Sequence, residues 1–128
     1  AERIVQFIAR YLDRQKYHPI ILCTGYPLSE IYHREGFSVE TISSTSPAPV
    51  NILRLCSLIK KLKVDLIHAH DHRASLLSLI CSRIGREVPV ISHIHSTNPW
   101  LTKKHPFKLM EMFLRNRYEV SLACSDIV

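Results

Sequence analysis

Histidine is the most chemically versatile side chain in this sequence, and five of the eight histidines of the chain lie in two short segments. His68, His70 and His72 alternate along the first segment, and His93 and His95 alternate along the second. Residues two apart on a β-strand project from the same face, so His68 pairs with His70 and His93 with His95. Imidazole can exchange protons, form hydrogen bonds with polar ligand atoms, and ligate metals. The two pairs are therefore the first candidates for a functional site.

An apolar run that predicts a buried strand precedes each histidine pair in the sequence. Val64, Leu66 and Ile67 precede the first pair, and residues 88–91 precede the second. A helical pattern begins immediately after the first pair, with Asp71 as its predicted N-cap. Ligands of open α/β sheets bind beyond the carboxyl ends of the strands, where helix N-termini also point. We therefore expect a site at this junction.

The rest of the chain alternates short apolar runs with amphipathic helical patterns. This alternation predicts the α/β class, with a Rossmann-like, doubly wound, mostly parallel sheet in three layers, α/β/α. We expect one sheet to contain segments 20–23, 66–68, 90–94 and 121–123. Because the pattern opens on a helix at residue 2, we expect the first strand of the repeat to be lacking. Residues 1–128 are predicted to form a single domain.

The amino-acid composition of the chain limits the kinds of molecule that it can bind. The chain has 46% hydrophobic residues, a formal net charge of +6 and a calculated pI near 9.4, which favours an anionic partner such as a phosphorylated ligand, lipid headgroups or nucleic acid. A non-catalytic nucleic-acid-binding domain stays open as one function class, suggested only by this charge. Against it, aromatic residues make up only 8% and do not interleave with the basic ones, so we expect no nucleic-acid partner. Four widely spaced cysteines in apolar patterns predict reduced thiols in a cytoplasmic protein.

A metal site is the main alternative for the histidines. The order His-Ala-His-Asp-His over residues 68–72 nearly matches the His-x-His-x-Asp-His run of the metallo-β-lactamase fold. It is one residue short, which rotates Asp71 and His72 away from the metal-facing side. We therefore expect no metal and no cofactor. A second function class that stays open is a metal-dependent hydrolase using His68, His70, His72 and His95.

Four segments, in order, resemble the N-terminal, acceptor-side domain of the family 4 (group 1) glycosyltransferases of the GT-B fold. Residues 1–5 resemble the start of the first helix after that family's Gly-Gly turn. Residues 63–70 resemble its Asp-hydrophobic-hydrophobic-His-x-His strand, residues 88–95 its Pro-Val-x4-His strand, and residues 122–125 its hydrophobic-Ala-x-Ser strand. Together the matches cover essentially all 128 residues.

The resemblance implies an enzyme, a glycosyltransferase of the hexosyltransferase type. Such an enzyme moves a sugar, with retention, from a UDP- or GDP-sugar donor to a glycan, lipid or small-molecule acceptor. It implies that His95 is catalytic, beside the transferred sugar and diphosphate, with Ser96 next to it. His68 and His93 fall earlier in their strands, and we expect them to be hydrogen-bonded core imidazoles.

The resemblance also implies a set of residues that contact the acceptor, and two parts of the family's structure that we expect to be missing from residues 1–128. His70, Asp71, His72 and Arg73 would contact the acceptor. We expect the family's Gly-rich loop after the first strand, and the second Rossmann-like domain that holds most of the nucleotide sugar, to lie outside residues 1–128. We therefore expect residues 1–128 alone to be inactive.

The segment from Trp100 to Tyr118 is basic and amphipathic. Its apolar helical face contains Leu109, Met110, Phe113 and Leu114, and its basic residues are Lys103, Lys104, Lys108, Arg115 and Arg117. The helix either covers the sheet with a solvated basic rim, or rests on the anionic inner face of a membrane near a lipid-linked acceptor. Membrane contact predicts that Phe107 and Met112 are exposed, and that the protein is cytoplasmic and peripheral.

Overall fold

The computed structural model describes residues 2–96 and 106–124, with the side chains of residues 106, 107, 110 and 111 outside the description. The chain divides into two compact units, Ala1–Thr45 and Ser46–Val128. Each unit combines α-helices with parallel β-strands, so the predicted α/β class is confirmed.

The first unit contains two helices and a two-stranded parallel sheet. Its core joins Ala9, Ile21, Tyr32 and Phe37, which are all buried. After the second helix, Gly36 has a φ of +79°, a conformation that favours glycine. The amide of the next residue, Phe37, then donates a hydrogen bond of 3.1 Å to the carbonyl of Tyr32 in that helix. The elements in order are α1 (Glu2–Tyr11), β1 (Ile20–Cys23), α2 (Leu28–Arg34) and β2 (Ser38–Thr41).

The second unit contains a three-stranded parallel sheet whose strands follow one another in chain order. The register places Ile67 opposite Val90 and Ile91 opposite Val120. Since all three strands are parallel, their carboxyl ends meet at one edge. The elements are α3 (Pro49–Lys61), β3 (Ile67–His70), α4 (His72–Ile84), β4 (Val90–Ile94), α5 (Pro106–Leu114), a 3₁₀ turn (Arg115–Arg117) and β5 (Val120–Ala123).

Helix α4 packs on one face of this sheet. Leu79 of α4 joins Ala69, Val90 and Tyr118 in a buried cluster. On the same face, the Ser92 hydroxyl donates a hydrogen bond of 2.8 Å to α4. Because side chains alternate along a strand, the opposite face carries the other residues of β3 and β4, among them His68, His70 and His93.

Two details of the predicted sheet are corrected. Segment 20–23 was expected beside segments 66–68, 90–94 and 121–123, but β1 pairs with β2, and β3–β4–β5 form a separate sheet. Strands share a sheet only where their backbones hydrogen-bond, and no strand in the described chain pairs with both β1 and β3. The third strand also runs over Ile67–His70, so His68 and His70 both lie within it. The single domain over residues 1–128 stays a prediction, as does the lacking first strand.

Candidate functional site

The register of β3, β4 and β5 brings three chain segments together at one sheet edge. His70 lies opposite His93, and the ladder continues beyond it because Asp71 N donates to His93 O over 3.0 Å. On the other side of β4, Cys124 N donates to Ile94 O over 3.2 Å. The backbone hydrogen bonding therefore aligns the residues that follow all three strands.

Four imidazoles occupy the face of the sheet opposite α4, and we call His68, His70, His93 and His95 the histidine face. His68 Nε2 lies 3.2 Å from His93 Nδ1, and His70 Nδ1 lies 2.8 Å from His95 Nε2. Each cross-strand pair is stacked with 8° between the ring planes. A nitrogen–nitrogen hydrogen bond needs one N–H donor and one bare acceptor, so these contacts fit neutral rings.

The electrostatics of the histidine face favour the neutral form of two of its rings, His68 and His70. Burial lowers the pKa of His68, and repulsion from His93 and His95 lowers it further. Burial is again the largest cause at His70, where the neighbouring histidines add to it and the pKa falls to about 3. The rings of His68 and His70 can then each offer one N–H and one lone pair at neutral pH.

Cys124 is a member of this cluster that the sequence predictions did not include. Its Sγ lies 3.1 Å from His95 Nδ1 and 3.9 Å from His93 Nε2, and the residue is exposed. The available signal was its position directly after the last strand. The carboxyl end of that strand reaches the same edge as β3 and β4.

Asp71 makes the turn from β3 into α4. Its Oδ1 accepts a hydrogen bond of 3.0 Å from Ala74 N, which confirms the predicted N-cap. Its backbone has a φ of 91° and a ψ of 166°, a region that is essentially limited to glycine and costs about 1–3 kcal/mol for other residues. Ser75 holds this turn, because its amide and its hydroxyl both donate to Asp71 O, over 3.0 and 2.7 Å. The junction is a strained turn with an exposed carboxylate.

The structure distributes the predicted site residues over three environments. His70 and His95 lie in the histidine face, together with His68 and His93, which were expected to be core imidazoles but are only partly buried. His72 is the first residue of α4 and is buried, with 7% of its surface exposed. The exposed members of the predicted set are Asp71, Arg73 and Ser96.

Two overlapping groups in the described chain have the spacing of metal ligands. The ligand atoms of His68, His70 and His93 lie within 4.8 Å of one another, as do those of His93, His95 and Cys124. These sets differ from the one considered from the sequence, which included His72.

The fold and the sheet edge define the chain as a Rossmann-like α/β protein, and a solved structure shares this fold. The crystal structure of a glycosyltransferase from Rickettsia africae ESF-5 superposes with a TM-score of 0.64 at 17% sequence identity. The match covers 95% of this chain and 38% of that one, so the present chain spans well under half of that protein's length. A search of curated protein sequences finds no match.

The family follows from the sequence comparison. The model of Glycosyltransferase Family 4 matches residues 1–128, and the chain belongs to this family. The resemblance stated from four sequence segments is thereby confirmed.

Proposed function

We propose that this chain is the acceptor-side domain of a retaining, hexosyltransferase-type glycosyltransferase. The enzyme would transfer a sugar from a UDP- or GDP-sugar to a glycan, lipid or small-molecule acceptor. The observation that carries the proposal is the histidine face, four closely packed imidazoles at the carboxyl edge of a parallel sheet in a family 4 chain. The donor would be held mainly by a second domain, and residues 1–128 alone would not turn over.

His95 is the proposed catalytic residue. It follows the last residue of β4, is partly buried, and contacts His70 through one ring nitrogen and Cys124 through the other. A ring held by two neighbours has a defined orientation. His70 would hold the ring through Nε2, and when substrate displaces the weakly bonding Cys124 thiol, the Nδ1–H of His95 can donate to a sugar or diphosphate oxygen as negative charge develops there.

The acceptor would bind beside the strained turn after β3. Asp71 and Arg73 are exposed there and can accept from, and donate to, acceptor hydroxyls, while His70 and Ser96 would complete the contacts. His72, the first residue of α4, is buried, so it would affect the acceptor through its exposed neighbours Asp71 and Arg73.

The test is the His95→Ala variant in a sugar-transfer assay with the purified full-length enzyme. Loss of a positioned imidazole should lower the transfer rate about 100-fold or more while the thermal unfolding midpoint changes little. His33→Ala, at an exposed histidine of α2, is the matched control and should transfer normally. His68→Ala should act chiefly through stability. Wild-type turnover by His95→Ala would refute the assignment of the catalytic residue.

A peripheral membrane contact is a second proposal, and helix α5 supports it. Leu109 and Phe113, which a covering helix would bury, have 72% and 68% of their surface exposed, and Met112 is exposed as well. Leu114, from the same predicted apolar face, packs against the buried cluster of the sheet, and the side chain of Met110 lies outside the description. The prediction for Phe107 concerns a side chain outside the description, and Trp100 also lies outside it.

The charges around α5 complete this argument. The Arg117 guanidinium lies 5.2 Å from the centre of the Phe113 ring, so basic and apolar groups occupy the same surface. Such a surface suits the anionic inner leaflet, where a cytoplasmic enzyme would meet a lipid-linked acceptor. Among the described helices, none has both the length and the apolar character needed to cross a membrane.

Vesicle binding tests the membrane proposal. The full-length protein should bind phosphatidylglycerol vesicles at low salt and release them at high salt, and it should bind phosphatidylcholine vesicles weakly. Reversing Lys103, Lys104 and Lys108 to Glu should weaken binding at least about 100-fold, because the loss of three attractive charges at about 1 kcal/mol each already costs about 3 kcal/mol, and the three new negative charges add repulsion. The control reverses Lys60 and Lys61 at the end of α3. Binding that ignores salt and the first three reversals would refute a membrane role.

A further inference from the structure

The outer edge of the histidine face combines two imidazoles with a thiol. The ligand atoms of His93, His95 and Cys124 all lie within 4.8 Å of one another. Cys124 Sγ is 3.1 Å from His95 Nδ1 and 3.9 Å from His93 Nε2. Zinc–nitrogen bonds of about 2.1 Å and zinc–sulfur bonds of about 2.3 Å put the ligands of a tetrahedral site about 3.5 Å apart. The two observed separations lie on either side of that value, so small side-chain movements would produce the site.

We propose that His93 Nε2, His95 Nδ1 and Cys124 Sγ bind a zinc ion, with the fourth position open to solvent. Nitrogen and thiolate ligands select zinc over magnesium and calcium, which prefer oxygen. Three protein ligands with one open position is an arrangement of zinc sites that exchange their fourth ligand. Cys124 is exposed, so an ion can reach the site from solvent. Binding converts the thiol to a thiolate and releases its proton to solvent.

The other two histidines provide the second layer that such a site needs. A histidine that ligates a metal through one nitrogen nearly always hydrogen-bonds through the other, which fixes its tautomer. With Nε2 on the metal, His93 would present its Nδ1–H to His68 Nε2, which lies 3.2 Å away. With Nδ1 on the metal, His95 would present its Nε2–H to His70 Nδ1, which lies 2.8 Å away. Both proposed imidazole ligands therefore already have a partner at the correct nitrogen.

This ligand set differs from the set weighed from the sequence. The expectation of no metal rested on the spacing of residues 68–72, where Asp71 and His72 turn away from the strand face. The proposed site uses neither residue and takes its sulfur from Cys124, which directly follows β5. It also includes His95, so a bound zinc ion would compete with substrate for that ring. This consequence rests on the proposed function, whereas the site itself does not.

The test uses the purified protein after treatment with a chelator and a thiol reductant. Cobalt(II) should produce a thiolate-to-cobalt charge-transfer absorption in the near ultraviolet, and one equivalent of Zn²⁺ should abolish it. Cys124→Ser should lose this absorption, and both Cys124→Ser and His93→Gln should weaken Zn²⁺ binding, measured against a chromogenic chelator, about tenfold or more. The matched control is Cys23→Ser, which replaces a partly buried cysteine of β1. Circular dichroism checks that each variant is folded.

The outcomes separate the metal site from the proposed transferase activity. Absence of the cobalt–thiolate absorption, its persistence in Cys124→Ser, or unchanged Zn²⁺ affinity in folded Cys124→Ser would overturn the site. The expected binding together with inhibition of sugar transfer by Zn²⁺ supports both proposals. The expected binding with undiminished transfer supports the metal site and contradicts the catalytic assignment of His95.

Discussion

Asp71 combines a helix cap with a strained backbone, and two substitutions can separate these effects. Asp71→Gly removes the side chain that accepts from Ala74 N but relieves the positive φ. Asp71→Ala removes the same hydrogen bond and retains a Cβ in the unfavourable conformation. The two variants therefore differ mainly in backbone strain.

The expected changes have opposite signs. Replacing a cap residue by glycine lowers the free energy of unfolding by a few tenths of a kcal/mol, and replacing it by alanine lowers it by about 1 kcal/mol. Relief of the strain at φ 91° and ψ 166°, which only glycine provides, raises it by about 1–3 kcal/mol. Asp71→Gly should therefore be more stable than the wild type by about 1 kcal/mol, after the extra flexibility of its unfolded chain is subtracted. Asp71→Ala should be less stable by about 1 kcal/mol or more.

Urea unfolding followed by far-ultraviolet circular dichroism measures both variants, with the free energy of unfolding extrapolated to water. The sugar-transfer assay adds a second readout, because the proposed acceptor contact predicts that the stabilised Asp71→Gly enzyme transfers more slowly. An Asp71→Gly variant as unstable as Asp71→Ala would refute the strain argument. It would show that the cap alone determines the contribution of this residue.

Two further predictions concern the same sheet. The pKa of His70 is lowered from 6.5 to about 3, so the unfolded chain takes up a proton before the folded chain does, and stability falls as the pH drops below 6.5. Between about pH 7 and about pH 5, the free energy of unfolding of the wild type should fall by about 1 kcal/mol more than that of His70→Gln, after allowance for the partial exposure of the ring. Both proteins are treated with a chelator before measurement. Equal losses in the two proteins would contradict this prediction. Ser75→Ala should cost about 1–3 kcal/mol in urea unfolding, because it removes the buried partner 2.8 Å from the Ser92 hydroxyl and the bond to Asp71 O. Ser92→Ala, which leaves the latter bond in place, should cost less, and an equal loss would contradict this reasoning.

The local features of the site were predictable from short stretches of sequence. Alternation along a strand predicts that His68 shares a face with His70 and that His93 shares one with His95, and their ring centres lie 4.3 and 4.2 Å apart. The N-cap at Asp71 depends on a side chain and an amide only three residues away. Such features are governed by backbone geometry and by neighbours in the chain, so a sequence pattern contains them.

Features that depend on which surface is covered were less predictable. Leu109 and Phe113 have the spacing of a buried helical face, but their side chains are exposed in the structure. The pattern identifies an apolar stripe without identifying what packs against it. Likewise, the apolar segment 20–23 has the character of a central strand, yet it pairs only with β2 among the described strands.

The sequence by itself determined the order of helices and strands, the same-face histidine pairs and the family. Only the tertiary structure decided that His68 meets His93, that His70 meets His95, and that Cys124 joins them. Those contacts require β3, β4 and β5 to be neighbours in one particular register. That register is set by backbone hydrogen bonds and by the packing of α4 across segments distant in the chain, and no local pattern of residues encodes it.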